Sequence, residues 1–181
     1  MSSAKKISFC ALFSALCCIA TYLVKVPMPY GYINVGDVFV LLAGWMIGGV
    51  WGGIAGGIGS AIADLLSGYA LYAPVTFVIK FLMPIVAFYG YLLLKKAIKK
   101  PALDFLPRVL SATVAELIMA FGYFAFECIV YGIGGGVTAL PFNLIQGGIC
   151  LALGVVMAVI LSSVPCVKKQ FPVFVKDEKK E

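Results

Sequence analysis

The chain has 181 residues, of which 62% are hydrophobic and only 12% are charged, and its mean hydropathy is +1.06. Soluble domains are about half apolar and about a quarter charged, so this composition excludes a soluble protein and predicts an integral membrane protein. The formal net charge of +6 comes from short, scattered basic clusters, which do not form a nucleic-acid-binding face.

Six apolar runs predict six membrane-spanning helices within a single transmembrane domain over residues 1–181. In chain order, the predicted spans cover roughly 7–24, 37–49, 51–67, 72–94, 107–131 and 140–164. The loop KVPMPYGYINVG follows the first span, and the second and third spans meet at GGVWGG. The basic segment KKAIKKPALDFLPR follows the fourth span, and the glycine loop GIGGG joins the last two. The predicted fold is all-α, a six-helix membrane bundle.

The topology depends on whether residues 37–67 form one helix or two. A single helix would be about 45 Å long, well beyond a hydrocarbon core of about 30 Å. With two helices, the basic N-terminus, the basic 95–108 segment and the basic tail all fall on one side of the membrane. Because positively charged segments remain in the cytoplasm, this pattern favours six spans with both termini cytoplasmic.

Small residues recur every four positions along the third span. One stripe consists of Gly48, Gly52, Gly56 and Ser60, and a second consists of Gly49, Gly53, Gly57 and Ala61. Small residues allow helix backbones to approach closely in a bilayer, so we expect both stripes to pack inside the bundle. Ala11 and Ala15 in the first span share this spacing, and their neighbour is either a helix of this chain or a different subunit.

Polar side chains lie at one depth in the outer parts of the last three spans: Lys80, Tyr123, Glu127, Asn143 and Gln146. Burying such groups without partners costs several kcal/mol each, so they must pair, face water or contact a ligand. We expect an ion pair between Lys80 and Glu127, with Glu116 as the competing partner of the lysine. A structural salt bridge explains that pair as well as a binding site does, but it does not explain the shared depth of the others.

Tyrosines are frequent in the predicted outer loops, with Tyr30 and Tyr32 in the first and Tyr69 and Tyr72 in the one after the third span. Two interpretations stay open, namely interfacial anchors and the rings of a lid that stack on a flat solute. The prolines of the first loop, with Gly31 and Gly36, would make it well defined but hinged. Asp64 is expected at the outer rim, as an anchor of this loop and not as a ligand.

The sequence gives little support for catalysis, because it has no histidine, no G-x-S-x-G elbow, no Walker A loop and no cluster of metal ligands. The six cysteines lie mainly within apolar runs, where a thiol behaves as a small hydrophobic group. We therefore expect no enzyme, no cofactor and no metal site. Without a nucleotide site, the chain cannot power transport alone.

The segment from YINVGDVFVLL to FVIKFLMPIVA resembles the S components of energy-coupling factor (ECF) vitamin transporters, and is closest to the group that includes riboflavin and hydroxymethylpyrimidine binders. The shared features are the Asn-x-Gly-Asp start of the second span, the glycine-rich turn, the Ala-Asp-Leu-Leu-Ser-Gly-Tyr exit and the Thr-Phe-x-x-Lys of the fourth span. Ala11-Leu-Phe-Ser-Ala15 matches the family's alanine-x-x-x-alanine motif.

This resemblance implies a substrate-binding subunit in the plasma membrane of a prokaryote. Its implied partners are a vitamin, a transmembrane coupling subunit and two ATPase subunits, and the loaded subunit would release its substrate inward by toppling. Ala11 and Ala15 become docking residues, and Tyr30, Gly31, Tyr32 and Gly36 belong to the lid. The implied pocket candidates are Lys80, Tyr123, Glu127, Asn143, Gln146, Tyr72 and Asn34.

The predicted function is high-affinity binding of a water-soluble B-vitamin or precursor for import. Mixed hydrogen-bonding groups beside tyrosines suit a flat heterocycle such as hydroxymethylpyrimidine, a pyridoxine-type compound or riboflavin, and suit pantothenate less well. The alternative is a membrane scaffold or assembly subunit that uses its small-residue faces to hold partners and binds no solute.

Overall fold

The computed structural model describes residues 2–98 and 105–171, and this part of the chain is mostly helical. Its elements in chain order are α1 (Ser3–Leu23), β1 (Lys25–Pro27), β2 (Tyr32–Asn34), α2 (Gly36–Ile47), α3 (Gly49–Leu66), α4 (Ala73–Ala97), α5 (Leu106–Ser163) and α6 (Pro165–Gln170). Parts of the predicted basic segment and of the basic tail lie outside the described residues.

Several of these helices are compatible with a membrane helical bundle. By length and composition, α1, α3, α4 and α5 could each cross a membrane, and α2 is a shorter apolar helix. The stretch 37–67 forms two helices, because Gly48 between α2 and α3 adopts a φ of +99°. Only glycine reaches this left-handed region without strain, so the residue fixes the turn.

The short α2 lies in the core of the bundle. Leu41 and Trp45 are completely buried, and the Trp45 Nε1 donates a hydrogen bond of 3.2 Å to the carbonyl oxygen of Ala87 in α4. A helix covered on all sides by protein is not required to match the thickness of the hydrocarbon layer by itself. This burial accounts for the continuous hydrophobicity of the α2 sequence.

The glycine stripes of α3 pack within the chain, as predicted. Gly52 of the first stripe lies against α2 at Gly44, and Gly53 of the second lies against Phe81 of α4. Gly59, which belongs to neither stripe, lies against Ser14 of α1. Because glycine has no side chain, α3 contacts three neighbouring helices at backbone distance. The close approach provides the dispersion contacts that hold helices together where lipid gives no hydrophobic driving force.

The 58-residue α5 is broken at Gly132, where φ is +78° and ψ is +170°. We call residues 106–131 its first segment and residues 133–163 its second segment. Asn143 Nδ2 donates to Glu127 Oε2 over 3.3 Å, and Gly147 packs on Glu116. These contacts, at increasing distance from the break, show that the two segments run antiparallel as neighbours.

The predicted GIGGG loop has the right position, but it is too long, because within it Gly132 alone leaves the helical conformation and the helix resumes at once. Gly136 lies inside the second segment, where an added Cβ would lie 3.0 Å from the carbonyl oxygen of Phe124. One residue with positive φ reverses the chain, and the glycines after it permit the close approach of the two segments. Glycine frequency alone does not distinguish these two roles.

The first predicted loop contains a two-stranded antiparallel sheet. Strand β1 pairs with β2 in a register that places Val26 opposite Ile33 and Pro27 opposite Tyr32. Gly31, with a φ of +87°, provides the positive φ in the turn between them. We call residues 25–34 the hairpin, and it covers one end of the helical bundle.

Candidate functional site

A cavity of about 30 Å³ lies beneath the hairpin, between the ends of α3 and α4 and the two segments of α5. Its lining is rich in tyrosines, amides and carboxylates. The lining residues are Met28, Gly31, Tyr32, Asn34, Asp64, Tyr69, Tyr72, Thr76, Tyr123, Glu127, Asn143 and Gln146. Such a volume holds about two water molecules, so the lining must separate before a larger solute can be accommodated.

Most residues predicted for the pocket meet in this cavity, namely Asn34, Tyr72, Tyr123, Glu127, Asn143 and Gln146. Sequence reasoning did not select Thr76, whose Oγ1 lies 2.9 Å from the hydroxyl of Tyr123. It also placed Asp64 beside the site and not in its lining. The sequence does contain a signal for Asp64 as a lining residue. In the Asp-Leu-Leu-Ser-Gly-Tyr motif it lies at the same end of α3 as Tyr69, which also lines the cavity.

The expected ion pair between Lys80 and Glu127 is wrong, because Lys80 pairs with Asp37. The lysine is 2% exposed and the aspartate is completely buried, with the Lys80 Nζ 5.4 Å from the centre of the Tyr123 ring. Glu116 is not the partner either. Asp37 begins α2 beneath the hairpin, so it lies in the protein interior and not at an exposed rim. Lys80 therefore lies behind the cavity and does not line it.

Gln146 connects this ion pair to the hairpin. Its Nε2 donates to the Oδ2 of Asp37 over 2.7 Å, and its Oε1 accepts from the backbone N–H of Asn34 over 2.9 Å. The Oδ1 of Asn34 in turn accepts from the N–H of Gly36 at the start of α2. Both ends of the Gln146 amide are thus used within the protein, which fixes the end of β2 over the cavity.

Further contacts hold the hairpin closed. The Tyr32 hydroxyl donates to Asp64 Oδ1 over 2.5 Å, which confirms the predicted role of Asp64 as a loop anchor. The rings of Tyr30 and Tyr131 stack with centroids 4.6 Å apart. Burial, followed by the neighbouring Asp64 carboxylate, raises the pKa of the Tyr32 hydroxyl, so this tyrosine remains a hydrogen-bond donor.

The predicted lid residues occupy different places. Gly31 and Tyr32 line the cavity, and the carbonyl oxygen of Gly31 accepts from the Tyr69 hydroxyl over 3.5 Å. Tyr30 lies outside the lining, against Tyr131. Gly36 is the first residue of α2 and is buried against Thr21, so it belongs to the base of the hairpin.

The predicted docking residues lie away from the cavity. Ala11 and Ala15 are both exposed on α1, and Leu12 between them is 50% exposed. Among the described residues, no group of three or more histidine, cysteine, aspartate or glutamate side chains could hold a metal ion.

Comparison with known proteins agrees with these features. Residues 1–163 match the family described as ECF-type riboflavin transporter, S component. A Pyrococcus woesei protein described as "Uncharacterized protein in gap 3'region" is 30% identical over 130 residues, which cover 71% of this chain and 82% of that relative. The family is a transporter component with a membrane location, a vitamin substrate and an ECF module as its partner. The chain therefore belongs to the S components of ECF-type transporters.

Proposed function

We propose that the chain is the high-affinity binding subunit of an ECF importer for a water-soluble B-vitamin or precursor, of the hydroxymethylpyrimidine, pyridoxine or riboflavin type. The main support is the hairpin-covered cavity, which combines four tyrosines with carboxylates and amides. Small-molecule sites commonly combine aromatic walls with a few convergent polar groups. Pantothenate, which has no ring to stack on the tyrosines, is a less suitable ligand.

The proposed topology has six spans and both termini in the cytoplasm. The two segments of α5 count as two spans, and α2 with α3 count as two more. Lys5 and Lys6 lie in the first turn of α1, and Lys95 and Lys96 lie in the last turn of α4. Both of these helix ends lie opposite the hairpin. Since basic residues favour the cytoplasmic side, the hairpin and its cavity face outward.

Binding to vitamins can be measured by calorimetric titration of the purified full-length chain in detergent. The panel contains riboflavin, hydroxymethylpyrimidine, pyridoxine, pyridoxamine and pantothenate, and we expect nanomolar affinity for one heterocycle.

Replacing Asn143 by alanine should weaken the affinity for that heterocycle about tenfold, because the Asn143 amide lines the cavity. Leu144→Ala, at the adjacent exposed position, is the matched control. Failure to bind any vitamin would contradict the proposal.

The scaffold alternative has less structural support. The α3 glycines are already in contact with α1, α2 and α4, so they leave no free face for a partner. The alanine face of α1 is an exposed small-residue surface in the described part of the chain, and we propose that it docks to the coupling subunit. Docking would precede the toppling that releases the vitamin to the cytoplasm.

Replacing Ala11 and Ala15 together by leucine should abolish vitamin uptake by cells and leave vitamin binding unchanged. The reason is that bulky side chains would separate α1 from the partner helix while the cavity remains intact. Uptake of labelled vitamin and titration of the purified variant measure the two effects. Ala125→Leu, an exposed position on α5, is the matched control. Normal uptake by the double variant would refute the docking assignment.

A further inference from the structure

We propose that the cavity selects a ligand that donates hydrogen bonds to the oxygens of its lining. On this basis the substrate is a neutral or cationic heterocycle with at least two N–H or O–H donors, such as an amino-substituted ring. Vitamins that carry a carboxylate or phosphate are rejected. The inference rests on the proposed function, because it concerns the same cavity, and it specifies the chemical class of the ligand.

Three buried oxygens in the lining have no donor at normal hydrogen-bond geometry, namely Asp64 Oδ2, Tyr72 Oη and Glu127 Oε1. The Asp64 carboxyl group interacts more weakly with Thr76, and the Tyr72 hydroxyl with Tyr131. Each carboxyl group is held in place through its other oxygen. Asp64 Oδ1 accepts from Tyr32, and Glu127 Oε2 accepts from Asn143. A buried acceptor requires a donor, so a ligand that replaces water in the cavity must supply donors to both carboxyl groups.

The two nearest lysines lie behind the tyrosine walls of the cavity and have partners within the protein. Lys80 pairs with Asp37 and lies 5.4 Å from the centre of the Tyr123 ring. Lys25 of the hairpin donates to Ser67 Oγ over 3.0 Å and lies 5.7 Å from the centre of the Tyr32 ring. Among the described residues, no lysine or arginine lines the cavity. An anionic ligand would therefore meet two carboxyl groups without a counter-charge.

The tyrosines favour the same class of ligand. Tyr32, Tyr69, Tyr72 and Tyr123 all contribute to the lining, and the rings of Tyr69 and Tyr72 meet edge-on with centroids 6.1 Å apart. Aromatic faces carry partial negative charge and attract cationic or electron-poor rings. Carboxyl groups at the edges and aromatic faces beside them together suit a flat, donor-bearing heterocycle.

Glu116 provides a matched control on the same helix as Glu127. It is 5% exposed and neither of its carboxyl oxygens has a hydrogen-bond partner. It lies in a separate groove beside Thr113 and Gly147, outside the lining of the cavity. A change of Glu116 to glutamine therefore alters a buried carboxyl group without altering the proposed ligand contacts.

The test uses three pairs of compounds titrated against the purified full-length chain. The pairs are hydroxymethylpyrimidine with its deaminated analogue, pyridoxamine with pyridoxic acid, and riboflavin with riboflavin phosphate. In every pair that binds, the donor-rich or less anionic compound should bind at least about tenfold more tightly. Glu127→Gln should reduce this ratio, and Glu116→Gln should not change it. Asp64→Asn provides the same comparison if Glu127→Gln does not fold.

The outcomes separate the two proposals. Equal or tighter binding of the donor-poor or more anionic compound, in any pair that binds, would overturn the inference and leave the proposed function intact. An unchanged ratio in both Glu127→Gln and Asp64→Asn would also overturn it. If no compound of the panel binds, the proposed function fails, and the inference fails with it.

Discussion

Replacing Asp37 by asparagine is expected to lower the free energy of unfolding by about 3–5 kcal/mol, because Lys80 then remains buried without its counter-charge. The side chains of Lys80 and Asp37 are almost completely inaccessible to solvent, with 3% and 0% of their surface exposed. The asparagine side chain has only one oxygen, so either Lys80 Nζ or Gln146 Nε2 also loses its acceptor at this residue. Denaturant or thermal unfolding in detergent, followed by circular dichroism, measures the loss.

A double variant identifies the cause of this destabilisation. Asp37→Asn combined with Lys80→Met removes the uncompensated charge, so it should be more stable than Asp37→Asn alone. Glu116→Gln measures the contribution of a nearby buried acid that does not form the ion pair but interacts electrostatically with both of its members. A double variant as unstable as the sum of the two single changes would show that the pairing is not the source of the effect.

Replacing Gly52 by alanine is expected to destabilise the chain by about 1–3 kcal/mol or more, through overpacking between α2 and α3. The added Cβ would lie 2.6 Å from the backbone nitrogen of Gly44 and 2.7 Å from the carbonyl carbon of Ala43. These are backbone atoms, which cannot rotate away as a side chain can. The two helices must separate, and the same unfolding measurement reports the cost.

Gly148→Ala is the matched control for this change. Gly148 also lies within a helix, but a Cβ added there has no atom within 4 Å. Because alanine is the better helix former, this variant should be as stable as the parent or more stable by up to about 1 kcal/mol. Equal stabilities of Gly52→Ala and Gly148→Ala would disprove the close contact between α2 and α3.

Periodic features of the sequence were sufficient for much of the fold. The apolar runs predict the helices to within a few residues at most ends, and the four-residue spacing of Gly52 and Gly56 predicts a packing face. These properties follow from the length of a span and the geometry of a helix. The positions of Tyr123, Asn143 and Gln146 along their predicted spans likewise place these three residues at one depth in the membrane.

The partner of Lys80 could not be obtained in the same way. Depth along a helix follows from residue number, but pairing also depends on how α2, α4 and α5 are rotated about their axes. Asp37 and Glu127 both lie near the right depth, and only the packed structure turns Asp37 toward the lysine. The length of the turn at Gly132 could not be predicted for a related reason, because the chain offers several nearby glycines and only one takes the positive φ.

The attachment of the hairpin to several helices has a consequence for binding kinetics. Tyr30 contacts the first segment of α5, Tyr32 contacts α3 and Asn34 contacts the second segment of α5. If the hairpin is the proposed lid, its opening must break these contacts together, so we expect the open form to be a distinct minor population. The apparent dissociation constant then equals the intrinsic constant divided by the open fraction. At high vitamin concentration, the observed association rate should level off at the rate of opening.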